Sequence, residues 1–256
     1  MKIHNTAIVD PKAELADDVL VGPYAVIKAN VRIGSGTSIE SHCVINEYTA
    51  IGKDCKIFSG AIIGSVTQDK KFEGGKSFLE IGDNNIIREY VTINRGTEEN
   101  SKTIIGNDNL LMAYTHIAHN CIIGNSVTIA NCGTLAGHVI IEDNAIIGGL
   151  GGIHQFVKMG SFSILGGHSK LVQDLPPYFM ADGHPAKVFG INSLGLERAG
   201  TPDDVKDGLK KAFKIVYSMK LNTKNALKRI KEEIPPSKEI SNLISFIESS
   251  QRGISR

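Results

Sequence analysis

Four of the chain's eight histidines fall between residues 116 and 154. His116 and His119 stand three apart in "AYTHIAHNC" (113–121), His138 follows in "TLAGHV" (134–139), and His154 lies in "IHQF" (153–156). Three kinds of chemistry are open to them. One ring, titrating near neutral pH, can take the proton of an attacking hydroxyl as a general base. Three neutral rings can hold a zinc ion with one position left free. Each ring can also fill a surface position and simply hydrogen-bond to its neighbours. The motifs alone leave all three open, because they do not say which residues meet.

The elements that carry the histidines narrow the choice. From Ile3, steps of six reach Val9, Leu15, Val21, Ile27, Ile33, Ile39, Ile45, Ile51, Ile57 and Ile63. The series resumes at Ile81, Ile87 and Ile93, then runs from Ile105 through Ile117, Ile129 and Ile141 to Leu171, aliphatic or Met throughout. A glycine often follows, as at Gly22, Gly34, Gly52, Gly82, Gly106 and Gly124, where a corner would want a permissive backbone. Two positions earlier sit small or β-branched residues, among them Ala25, Thr37, Cys43, Cys55 and Cys121. A period of six fits neither a helix nor an ordinary strand. It fits a solenoid of short strands and tight corners, with the aliphatic residue always inward and coils stacked at about 4.8 Å.

Three hexads make a coil of 18 residues, so positions 18 apart should stack. His119, Gly137 and Gln155 then form one column, and Asn120 lies beneath His138. The register predicts that His119, His138 and His154, from successive coils, cluster in space. For acyl transfer, Gly137 would let a substrate approach a backbone N–H able to steady an oxyanion.

Two polar segments leave the ladder, near 65–80 and 95–103, and read as loops on a rigid scaffold. After Leu171 the pattern fails at "DLPPYFMADGHPAKVFG", where two prolines end regular pairing. The tail reads as helical, with Thr201 as N-cap, Pro202 at the first helical position and Asp204 as capping partner. A last helix follows "PPSKE". The predicted organisation is a β-helix over 1–190 and a small helical domain over 191–256. Lysine plus arginine (28) and aspartate plus glutamate (27) nearly cancel, which argues against nucleic-acid binding. Four cysteines without a CxxC pair, no secretory segment and no apolar run of membrane length predict a cytoplasmic protein with no membrane span.

The motifs also carry a resemblance. "QDKKF" (68–72), "IREYVTINRGT" (87–97), "DNLLMAYTHIAHNC" (108–121), "TLAGHV", "IHQF", "VQDLPPY" (172–178) and "GLERAG" (195–200) are similar to the bacterial UDP-N-acetylglucosamine O-acyltransferases of lipid A synthesis, over essentially the whole chain. The resemblance implies a mainly β fold, a left-handed parallel β-helix followed by a small C-terminal α-helical domain. It implies a homotrimer with sites between subunits. It implies transfer of an (R)-3-hydroxyacyl group from acyl carrier protein to the 3-hydroxyl of UDP-GlcNAc, the first step of that pathway. The phosphopantetheine arm comes with the co-substrate, and no metal or other cofactor is implied.

By the same resemblance His119 is the general base and the Gly137 N–H the oxyanion donor. Gln68, Asp69, Lys71, His116, His138, His154 and Gln155 are supporting substrate contacts. Arg198 would meet the nucleotide diphosphate, for which a guanidinium fork is suited, and Asn192 is a further nucleotide contact. Gly167, in "GGH" (166–168), would leave the acyl groove open to chains of about twelve carbons or more.

The sequence departs from the family pattern at three positions. Asn120 stands where Asp usually follows the base, Asn94 where His is usual, and Ala199 where some members have a second Arg. A neutral amide beside the base predicts an acid limb at lower pH than in Asp-bearing relatives. Other readings stay open. They are the same chemistry on the 3-amino analogue, the related N-acyltransferase, a zinc hydratase like the gamma-class carbonic anhydrases, and a non-enzymatic scaffold. In those hydratases the paired histidines usually stand five apart, and here they stand three apart. Lys206, Lys210 and Lys214, then Lys220, Lys224 and Lys228, recur every four residues and could each line a helix face for an acidic carrier protein.

Overall fold

The computed structural model describes residues 2–70 and 72–256. The hexads fold into strands mostly two residues long, the second residue pointing inward, as in His116–Ile117 and Ile122–Ile123. The described strands form three sheets of eleven, nine and eight, which the chain visits in turn. Pairing between coils is parallel and keeps the aliphatic register: Ile93 lies against Ile117, Ile117 against Leu135, and Leu135 against Ile153. The aliphatic ladder fills the interior, with Ile45, Ile63, Ile93, Ile117 and Ile129 fully buried. Each such side chain contributes about 1.5–3 kcal/mol through burial. Cys43, Cys55 and Cys121 pack inside the corners as small residues, and none forms a disulfide.

The inward rule fails at the first coil. Ile3, in the first coil of the described residues, is 40 % exposed at that end of the solenoid. Gly64 takes the left-handed conformation as expected, at φ +76°, but most glycines after the aliphatic positions need a different explanation. Gly34 does not take the left-handed conformation; a Cβ there would sit 2.7 Å from the backbone of Gly52 in the next coil. Space between stacked coils requires the glycine. The left-handed turn falls two residues later, on Gly36, or on Asp54 and Asn84 after Gly52 and Gly82. Asp and Asn tolerate that conformation better than most side chains. Along one corner, side chains satisfy the exposed amides of the neighbouring coil. Lys53 N–H donates to Asp83 at 2.7 Å, Asp83 N–H to Asn107 at 2.7 Å, and Asn107 N–H to Asn125 at 2.8 Å.

Both polar loops replace the same corner, where the chain passes from the nine-stranded to the eight-stranded sheet. The first connects Ile62–Ser65 to Phe78–Ile81, and the second Thr92–Asn94 to Lys102–Ile105. They brace each other. Thr97 Oγ1 donates to Thr67 Oγ1 at 3.1 Å, Ser77 Oγ to the Gly96 carbonyl at 2.6 Å, and Lys76 N–H to Glu99 at 2.8 Å. In the next three coils this corner is His119–Asn120, Gly137–His138 and Gln155–Phe156. Loops and histidines therefore share one edge of the solenoid.

Past Leu171 the structure adds elements that the prolines had concealed. Phe179–Gly183 joins the first sheet parallel to Ile164–Leu165, and Ala186–Ile191 pairs antiparallel with it. Four helices follow: α1 (Ser193–Arg198), α2 (Asp203–Tyr217), α3 (Thr223–Glu233) and α4 (Lys238–Ser249). The cap of α2 is one residue later than the sequence suggested. Pro202 is extended and occupies the N-cap without a side-chain bond, and Asp203 and Asp204 sit in the positive first turn. The helices bury Leu209, Ile215, Ile230, Leu243 and Ile247 among themselves and the hairpin. Among the described residues no helix is long and apolar enough to cross a membrane.

Candidate active site

The 18-residue register places His119 directly against Gly137. A Cβ on Gly137 would lie 2.5 Å from His119 Nε2, so only glycine admits the ring there. His119 is 8 % exposed. The coils are tied at this corner by His138 N–H donating to the His119 carbonyl at 3.0 Å and Phe156 N–H to the Gly137 carbonyl at 3.1 Å. The Gly137 N–H finds no backbone acceptor among the described residues, although Gly137 itself is buried. Such a donor beside a basic ring can receive a developing oxyanion.

The remaining contacts of His119 come from the edge. Its Nδ1 lies 2.8 Å from Asn120 Oδ1, and its Nε2 lies 3.8 Å from Asp69 Oδ2 in the first loop. Asn120 Oδ1 also accepts the Thr97 N–H at 3.1 Å, and Asn120 Nδ2 donates to Glu98 Oε2 at 3.0 Å. The His138 ring stands edge-on to His119 at 5.2 Å between centroids and stacks on Phe156 at 4.7 Å. Burial, then the charge of His119, hold His138 below the ordinary imidazole value, against the pull of Glu98 and Asp69. His116 projects outward from the neighbouring strand, with Nδ1 2.7 Å from Thr92 Oγ1, and burial lowers its value too.

Of the expected site residues, the structure brings together His119, Gly137, His138 and Asp69. His154 does not join the ring cluster. It is exposed, and its Nδ1 lies 3.2 Å from the Gln155 carbonyl and 3.4 Å from Arg252 Nη2. Gln155 is partly covered, Gln68 is exposed on the first loop, and Lys71 lies outside the described residues. Asn192 is 4 % exposed and caps α1: Oδ1 accepts Gly195 N–H at 2.9 Å, and Nδ2 donates to the Phe162 carbonyl at 2.9 Å. This is a structural duty that sequence reasoning did not assign. Arg198 is the last residue of α1 and is exposed. Gly167 lies at the corner between the eleven- and nine-stranded sheets, a different edge from His119, and is open to solvent. Asn94 is buried and ties down the first loop through the Val66 carbonyl at 3.0 Å.

Sequence reasoning missed Glu98, Thr97 and Phe156. Phe156 was within reach, since it stands 18 residues after His138. The lysine series also changes. Lys206 and Lys210 pair with Asp203 and Asp207 at 2.7 Å, and Lys220 lies between α2 and α3, so the second set does not line one helix. Among the described residues no three His, Cys, Asp or Glu side chains are grouped to hold a metal ion.

A parallel β-helix wound from hexapeptide repeats is the architecture of the hexapeptide-repeat acyltransferases. Residues 12–47 and 102–137 match the family model of bacterial transferase hexapeptides, and residues 174–255 that of UDP N-acetylglucosamine O-acyltransferase, domain 2. The acyl-[acyl-carrier-protein]–UDP-N-acetylglucosamine O-acyltransferase of Paracidovorax citrulli is 53 % identical, with 99 % of each chain covered. That of Thermodesulfovibrio yellowstonii is 49 % identical over 100 % of this chain and 99 % of its own. The solved UDP-N-acetylglucosamine acyltransferase of Bacteroides fragilis superposes with a TM-score of 0.96 at 40 % identity, covering 99 % of this chain and 100 % of that one. The chain belongs to the acyl-[acyl-carrier-protein]–UDP-N-acetylglucosamine O-acyltransferase family, and its solenoid is the left-handed parallel β-helix.

Proposed function

We propose that the chain transfers a 3-hydroxyacyl group from acyl carrier protein to the 3-hydroxyl of UDP-GlcNAc, with His119 as general base. The observation that carries this is the His119 ring packed on Gly137, its Nε2 3.8 Å from Asp69 of the first loop. His119 Nε2 takes the proton of the sugar hydroxyl as its oxygen bonds to the thioester carbonyl carbon. The carbonyl oxygen becomes an oxyanion and takes the Gly137 N–H. Collapse breaks the C–S bond, and the imidazolium returns the proton to the departing phosphopantetheine thiolate. Asp69, beside the base, takes the role of a substrate contact that holds the sugar in reach of Nε2. His138, disfavoured as a cation, serves as a neutral ring that packs against the base and can still hydrogen-bond substrate.

Within one chain this edge supplies a single wall. Gly167 and Arg198 belong to other parts of the surface, so a homotrimer that sets a second chain against the edge would account for their assignments to the acyl groove and the diphosphate. Asn192, already employed as a helix cap, is the weakest of the nucleotide contacts. The reaction is placed in the cytoplasm, where acyl carrier protein and free thiols are found.

The test is a transfer assay pairing UDP-GlcNAc, or its 3-amino analogue, with 3-hydroxyacyl carrier proteins of graded chain length. Ester formation on UDP-GlcNAc is expected, fastest with long donors. Amide formation alone would assign the amine acceptor, and transfer to neither would overturn the reading.

A further inference from the structure

The carboxylate that usually follows the base in this family is replaced by Asn120, yet a carboxylate is present one bond further out. Asn120 Nδ2 donates to Glu98 Oε2 at 3.0 Å, while its Oδ1 accepts the Thr97 N–H at 3.1 Å. These two contacts settle which way the amide points. With the amide reversed, its NH2 would face the Thr97 N–H and its oxygen would face a carboxylate, both repulsive. Oδ1 is therefore the atom 2.8 Å from His119 Nδ1, and Nδ1 must carry the proton. Nε2 is left with its lone pair, on the side facing Gly137 and Asp69, as a general base requires.

We infer that Glu98 is a positioning residue for the transfer reaction, acting on His119 through the Asn120 amide. The inference rests on the reading of His119 as base and adds to it the group that fixes its tautomer. The amide transmits no proton. It transmits orientation, and Glu98 adds a negative charge that favours the imidazolium formed when the hydroxyl attacks. Hydrogen bonds from Glu98's own amide, then from Asn120 and Ser101, hold its carboxyl below the usual glutamate range, so it is ionised at neutral pH. The loop that carries it is braced by Thr97 on Thr67 and by Glu99 on the Lys76 N–H. The charged or titratable groups facing His119 are then Asp69 from the first loop, His138 from the next coil, and Glu98 through Asn120.

Glu98→Ala and Glu98→Gln test this. Glu98→Ala should lower kcat about tenfold while KM for UDP-GlcNAc stays within about twofold. Glu98→Gln keeps an acceptor for the Asn120 amide and removes the charge. It should cost less, but in both variants the acid limb of the pH–rate profile should move to lower pH. Nitrogen-15 spectra of the histidine rings read the tautomer without any substrate. The wild-type signal that disappears in His119→Ala should show Nδ1 protonated, and Glu98→Ala should shift it toward a mixture. If kcat, the acid limb and the ring signals stay at wild-type values, the inference is overturned. A fall in kcat with both the limb and the signals unmoved also overturns it, since that is what a merely structural loop residue would give. A wild-type protein that turns over no UDP-GlcNAc sinks the functional reading instead, and the ring spectra still decide the network.

Discussion

At the scale of residues, burial acts on the titration of two imidazoles. His116 and His138 are both held below the ordinary imidazole value, chiefly by desolvation. Below about pH 6.5 the unfolded rings bind protons that the folded rings resist, so stability is complete above that pH and declines as pH falls through the window beneath it. Thermal unfolding is expected to show Tm decreasing from about pH 7.5 to about pH 5.5, with a shallower decline in His116→Asn. A Tm that rises on acidification contradicts this. The contact between His119 and Gly137 was legible because both sit on the periodic ladder, 18 residues apart. Glu98 was not, because it lies in a loop that interrupts the period and so has no register from which its neighbours can be counted. Asn192 was read as a ligand contact, although its sequence context, ahead of "SLGLER", also suits a helix cap.

At the scale of elements, the corner decides both packing and chemistry. A short strand can hold one outward side chain, but a two-residue corner presents a ring, a backbone amide and a left-handed turn at once. Asn120 and His138 adopt that turn with φ near 60°, while His119 and Gly137 precede it. Gly137 is not required by its backbone angles but by the ring beside it. Gly137→Ala should therefore fold, displace the His119 ring and lower kcat by about a hundredfold to a thousandfold. Unchanged kcat in that variant would show that the ring does not need the space. The glycines after the aliphatic positions were visible in the sequence, but outside Gly64, which does take the left-handed conformation, their reason was misread. Their role is contact between coils, which becomes apparent only once the coils are stacked. The hairpin after Leu171 escaped detection because Pro176 and Pro177 before it and Pro185 in its turn masked strands that pair at the end of the solenoid.

At the scale of the whole molecule, stability and chemistry are spatially separate. The ladder of buried aliphatics runs through the interior and supports each coil on the next. The histidines, both loops and the Glu98 network line one edge outside it. The period therefore revealed the scaffold almost completely, whereas assembly, acyl groove and nucleotide contacts depend on surfaces with no repeat to read. It also follows that the His119 imidazole can be removed without loss of fold. The decisive measurement is the transfer rate of His119→Ala with UDP-GlcNAc and a 3-hydroxyacyl carrier protein, on protein whose Tm matches wild type. kcat is expected to fall about a thousandfold with little change in KM; a rate within tenfold of wild type would contradict His119 as the base.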